Sequence, residues 1–168
     1  MIDNNLVRFW SNKTNNVTWK KKPKNIVKIT NGKFEWFSDG IINVAENLIK
    51  KNIDRGLGKK TALIYLKEND EEFIISYNEL NLLVKNFSDF LKVKKYKKKP
   101  IFIHGSASVE TSVSMLSSAF LGHKHCVIFE ELEGLAIEKR LKIIKPGIVI
   151  TKSKDKKNIN FFKKLRKK

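Results

Sequence analysis

Apolar positions return along this chain in two rhythms. In NELNLLVKNFSDFLKV (78–93), Leu80, Leu83, Val84, Phe87, Phe90 and Leu91 recur every three or four residues, which predicts an amphipathic helix. Ser76 stands three residues before Glu79, the spacing of a capping box. Upstream, TALIYLK (61–67) and EEFIISY (71–77) are rich in β-branched and aromatic residues. Only Glu68, Asn69 and Asp70 separate them, so the pair predicts a β-hairpin.

From residue 100 onward the two rhythms alternate. PIFIHG (100–105), CVIF (126–129) and GIVIT (147–151) are short apolar runs that predict strands. Between them, SVETSVSMLSSAFLG (108–122) and EGLAIEKRLKII (133–144) have helical patterning, ended by Gly122 and Pro146. Strand, helix, strand, helix, strand at this spacing means βαβ units around a mainly parallel sheet, an α/β fold.

The front of the chain follows neither rhythm cleanly. Residues 1–33 are polar and Asn-rich, with Phe9, Trp10 and Trp19 scattered through them. They predict an irregular arm anchored on the body by its aromatic side chains. INVAENLIKKNI (42–53) predicts a helix with Val44 and Leu48 on one face, Ile41 and Ile49 as further candidates for that face, and Asp39 or Asn43 as its cap. The expected organisation is an arm over 1–33, an incomplete α/β subdomain over 34–151 and a basic tail over 152–168.

Composition changes this picture in one respect. Hydrophobic content of 41% in 168 residues suits one domain with a core, and no apolar run is long enough to span a bilayer. No secretory signal opens the chain, and a single cysteine fits a reducing cytoplasm. The net charge of +18 invites a polyanion. Its carriers are almost all lysine, with Arg8, Arg55, Arg140 and Arg166 the only arginines. Readers of nucleic acid lean on arginine for bidentate and stacking contacts, so nucleic acid is disfavoured as a partner. The densest lysine clusters are KVKKYKKK (92–99) and the tail.

Two stretches raise the question of chemistry. His123-Lys124-His125-Cys126 places two histidines and the only cysteine together. On a strand, Cys126 points away from the face that His123 and His125 share, and His104 is the only other histidine. A zinc site needs three or four converging ligands, so Cys126 reads as a small core residue instead. GSASVETS (105–112) leads from a strand into a helix but lacks the glycine spacing and the Gly-Lys-Ser/Thr of a phosphate loop. It reads as a capped helix start.

Five stretches together resemble the N-terminal part of AMP-forming acyl-CoA synthetases, nearest to acetyl-CoA and propionyl-CoA synthetases. They are Phe9-Trp10 with Trp19; FEWFSDGIINVAENLI, matching at Trp36, Phe37, Gly40, Asn43, Asn47 and Leu48; KKTALIY with ISYNEL; MLSSAFLGHKHCVIF; and EKRLKIIKPGIVIT. They come in the family's order and span almost the whole chain. The resemblance implies a partial N-terminal domain of an adenylate-forming enzyme. Such enzymes convert acid and ATP to an acyl-adenylate, then pass the acyl group to coenzyme A, with Mg²⁺ required.

The resemblance also says what these residues lack. The Thr/Ser/Gly-rich phosphate loop, the acid pocket, the adenine and ribose contacts and the catalytic lysine have no counterparts here. Adenylation needs positioned charge about a transferring phosphate. The chain alone is therefore expected to be inactive and to hold no cofactor by itself; ATP, Mg²⁺ and coenzyme A belong to the full-length family. The basic residues that contact coenzyme A in the family fall, counting from Thr151, on Lys157 and Asn160. The family's Phe-Gly-Gly loop becomes Phe129-Glu130-Glu131, and Glu131 completes the candidate coenzyme A region. Losing the arginine fork and adding two carboxylates argue against retained coenzyme A binding. The implied partner is a separately encoded remainder of the synthetase; the other readings are a coenzyme A-binding remnant or a lysine-rich polyanion binder.

Overall fold

The computed structural model describes residues 3–93, 99–151 and Phe162. Helix α1 (Asn4–Lys13) opens it, with the Asp3 carboxylate accepting the Asn5 amide at 2.8 Å. Strand β1 (Trp19–Lys21) pairs antiparallel with the short β4 (Ile41–Ile42), and β2 (Val27–Thr30) with β3 (Lys33–Trp36). Asn31 and Gly32 join β2 to β3 at φ 51° and 74°, the left-handed pair that a tight hairpin requires. The aromatic anchors meet here: the Trp19 ring lies 5.9 Å from Phe37, and its Nε1 donates to the Thr14 carbonyl at 2.9 Å.

Asn43, not Asp39, caps the next helical segment, accepting the Glu46 amide at 3.1 Å. Its own amide donates across the core to the Phe120 carbonyl at 2.9 Å. Asp39 instead holds the Lys24 and Asn25 amides at 3.0 and 3.4 Å. The segment runs through two wide π-type stretches, Glu46–Lys50 and Ile53–Leu57. Here the expected inner face is corrected. Ala45 and Ile49 are buried, whereas Val44 and Leu48 are half-exposed. Both i,i+4 rows are apolar, and only packing against α2 decides which one turns inward.

The hairpin forms as expected from β5 (Thr61–Leu66) and β6 (Glu72–Ser76), antiparallel with Ile64 opposite Ile74. Helix α2 (Tyr77–Val93) follows at once. The capping box closes in both directions: the Glu79 amide donates to Ser76 Oγ at 3.3 Å, and the Ser76 amide donates to Glu79 Oε2 at 2.8 Å. Helix α3 (Val109–Phe120) packs on α2 through small side chains. Ser88, Ser114, Ser117 and Ser118 are all buried, and Ser117 Oγ donates to the Val84 carbonyl at 3.0 Å.

The centre is a three-stranded parallel sheet in the order β8 (His125–Ile128), β7 (Ile101–His104), β9 (Ile148–Thr151). All four residues of β7 are buried, as a central parallel strand demands. Ile101 and Ile103 pack with Leu91 of α2 on one face. Phe102 packs with Ile137 of helix α4 (Leu135–Ile144) on the other. The βαβ reading and a partial α/β domain therefore hold. The basic tail, apart from Phe162, and most of the 92–99 lysine cluster lie outside the described residues.

Candidate functional site

The connections that leave β7 and β8 go to opposite faces of the sheet, β7 into α3 and β8 into α4. In open α/β sheets this divergence opens a crevice at the carboxyl ends of the strands, the usual place for ligands. Three short stretches meet there: the end of β7 with Gly105–Ser108, the turn after β8 at 129–134, and the end of β9. The Gly105 amide donates to the Ile128 carbonyl at 3.1 Å and holds the first two together.

His104 ties all three. It is the last residue of β7 and is only 2% exposed. Its Nε2 lies 3.2 Å from the Leu132 carbonyl and its Nδ1 lies 3.3 Å from Thr151 Oγ1. A carbonyl only accepts, so Nε2 carries a proton and donates, while Nδ1 and the Thr151 hydroxyl share the second hydrogen bond. The Phe162 ring stands edge-on at 5.6 Å from the imidazole. Sequence reading passed over His104 because a histidine ending an apolar strand looks like any other core position. Its partners are 28 and 47 residues away, beyond any local pattern.

The candidate residues taken from sequence are distributed unevenly. Glu131 is exposed in the turn that begins at the likewise exposed Phe129, where the Leu132 amide donates to the Phe129 carbonyl at 3.1 Å. It thus lies beside the His104 tie. Lys157 and Asn160 lie outside the described residues.

The start of α3 is a capped one, as its sequence reads. Ser108 Oγ accepts the Thr111 amide at 3.2 Å, and Thr111 Oγ1 donates to the Ser106 carbonyl at 2.8 Å. The His123–Cys126 stretch also has structural work. The Gly122 amide donates to the Ala119 carbonyl at 3.0 Å and the His123 amide to the Ser118 carbonyl at 2.9 Å, a Schellman ending for α3. Cys126 packs among Phe102, Ile128 and Ile137. Among the described residues no three His, Cys, Asp or Glu side chains gather as a metal site would need.

A short parallel sheet with helices on both faces and a reversal of strand order defines part of an open α/β domain. Comparison with known proteins narrows the class. Residues 2–48 match the family described as acetyl-coenzyme A synthetase N-terminus. The acetyl-coenzyme A synthetase of Leptospira biflexa is 31% identical over 148 residues, covering 86% of this chain and 23% of that protein. That of Cupriavidus metallidurans is 30% identical over 146 residues, covering 85% and 22%. The structure of acetoacetyl-CoA synthetase from Streptomyces lividans shares the fold with a TM-score of 0.74 at 19% identity, over 86% of this chain and 23% of that one. The chain corresponds to the N-terminal portion of an AMP-forming acyl-CoA synthetase, and it spans less than a quarter of the length of the curated relatives it matches.

Proposed function

We propose that this chain is the N-terminal segment of a short-chain acyl-CoA ligase that activates acetate or propionate, and that alone it catalyses neither adenylation nor thioester formation. The similarity to acetyl-coenzyme A synthetases over 86% of the chain carries this reading. The 168 residues contain no phosphate loop and no catalytic lysine of that family. Without those groups, no charge is positioned around a transferring phosphate. The role left to the segment is architectural: it supplies one parallel sheet and the crevice at its carboxyl edge, against which the remainder of a synthetase completes the site. The positions that family resemblance assigns to coenzyme A are Lys157, Asn160 and Glu131 here, which carry less positive charge than the family's basic residues.

A graft tests this. The chain replaces the matching segment of the Leptospira biflexa acetyl-coenzyme A synthetase, and acetate-dependent AMP formation is measured. A soluble, acetate-activating hybrid supports the proposal. A soluble hybrid that is inert, beside an active parent, counts against it.

A further inference from the structure

The apolar side chains that the first 36 residues leave uncovered form one connected ridge. Helix α1 buries none of its residues. Phe9 meets Trp10 at 5.4 Å, and Trp10 meets Trp36 of β3 at 6.0 Å. In the hairpin, Trp36 stands opposite Val27 and Phe34 opposite Ile29, and alternation puts both pairs on the same face. Phe9, Ile29 and Phe34 are 51%, 50% and 59% exposed. The ridge thus runs from the helix to the hairpin tip at Asn31-Gly32. A contiguous exposed apolar strip of this kind marks a contact surface.

Charge says what it contacts. Residues 8–33 carry eight lysines and arginines and not one aspartate or glutamate. The neighbouring carboxylates are engaged: Asp3 caps α1, Asp39 holds two backbone amides, and Glu35 stands across the strand pair from Lys28. Lys20 pairs with Glu46 at 3.2 Å, and the Lys13 ammonium lies 5.2 Å from the centre of the Phe9 ring. An aromatic and aliphatic strip set in a field of net positive charge complements a surface that is both anionic and apolar beneath.

We propose that this ridge docks on an anionic lipid bilayer, with Phe9, Trp10, Ile29 and Phe34 at the headgroup–acyl boundary and the surrounding lysines on the lipid phosphates. Peripheral binding needs two signals, apolar insertion and basic charge, and both are present here. No described helix is long and apolar enough to cross a membrane, so the mode is attachment at the surface. Single-stranded nucleic acid fits less well. Trp10 and Trp36 are packed edge-on against each other, and Ile29 has no ring to stack on a base.

The test uses the intact chain with vesicles of phosphatidylcholine alone or mixed with phosphatidylglycerol. Co-sedimentation with the anionic vesicles only, with tryptophan fluorescence shifted to the blue and shielded from an aqueous quencher, is expected. Ile29→Ser with Phe34→Ser should weaken binding roughly tenfold or more through lost insertion. Lys13→Glu with Lys33→Glu should do so by a similar factor through lost attraction. Absence of binding to anionic vesicles overturns the proposal, as it would if another polypeptide covers the ridge instead. Tighter binding to single-stranded RNA than to vesicles also overturns it, as does vesicle binding that the first pair of substitutions leaves unchanged. If a variant loses its far-UV circular dichroism, lipid-dependent quencher shielding in the unmodified chain decides.

Discussion

His104 Nδ1 is hydrogen-bonded to the Thr151 hydroxyl at 3.3 Å, joining the end of the central strand to the end of its neighbour. The same ring donates from Nε2 to the Leu132 carbonyl at 3.2 Å. One buried imidazole therefore fixes the loops on both sides of the candidate crevice. His104→Ala removes both bonds and leaves a void, and should cost about 2–4 kcal/mol. Thr151→Val strips Nδ1 of its hydrogen-bond partner and should cost about 1–2 kcal/mol. Urea denaturation of the two single variants and the double variant checks this. The double variant should lose less than the two singles together, because they break the same bond.

Ser88 offers the opposite expectation. Its hydroxyl is fully buried on α2 and has no hydrogen-bond partner among the described residues. The Val84 carbonyl one turn earlier accepts from Ser117 of α3 instead. Ser88→Ala removes a desolvated, unpaired hydroxyl and favours the helix, so it should raise stability by about 0.5–1.5 kcal/mol. Ser117→Ala loses a bond that is made and should lower stability by about 1 kcal/mol. Thermal unfolding of the pair, read side by side, tests whether the interface between α2 and α3 is satisfied as described.

Gly40 lies where a side chain has no room. A Cβ there would come 2.6 Å from the Trp19 ring and 3.2 Å from the Phe37 carbonyl. Gly40→Ala should displace the indole, break the bond from Trp19 Nε1 to Thr14, and cost about 1–3 kcal/mol. Near-ultraviolet circular dichroism should lose tryptophan signal at unchanged helix content.

The capping box makes stability depend on pH. Hydrogen bonds from the Ser76 side chain, then from the Ser76 amide, hold the Glu79 carboxyl below its ordinary value of 4.5. A carboxyl lowered by folding contributes stability that is complete above its unfolded pKa and is lost as pH falls through the folded one. Unfolding measured from neutral pH down through the acid range should show this loss, with the Glu79 share beginning near 4.5. Glu79→Gln should flatten that part of the profile and leave the neutral end of the curve the flatter reference.

Much of this architecture was readable in the chain itself. The hairpin of β5 and β6, the Ser76–Glu79 box and the alternation from β7 to β9 rest on local spacing, and local spacing is what sequence displays. The arm between α1 and β3 was harder, because its strands hold few buried residues and so show no apolar alternation. The face of the segment over 44–57 was ambiguous because Val44–Leu48 and Ala45–Ile49 are adjacent apolar rows, and contact with α2 selects the second. The crevice could be anticipated from strand order, but its tie at His104 could not, since it joins residues far apart in the chain. Family resemblance supplied Lys157, Asn160 and Glu131, of which the described structure holds only Glu131.

The central claim is that these residues form a synthetase's N-terminal segment without its chemistry. The most direct test is isotope exchange between pyrophosphate and ATP, catalysed by the purified chain with acetate and Mg²⁺. This reads the adenylation half-reaction alone and needs neither coenzyme A nor product release. The account predicts no acetate-dependent exchange above the protein-free control. Exchange that requires acetate, saturates with ATP and survives repurification would contradict it, because the chain would then position a transferring phosphate with groups that this account denies it.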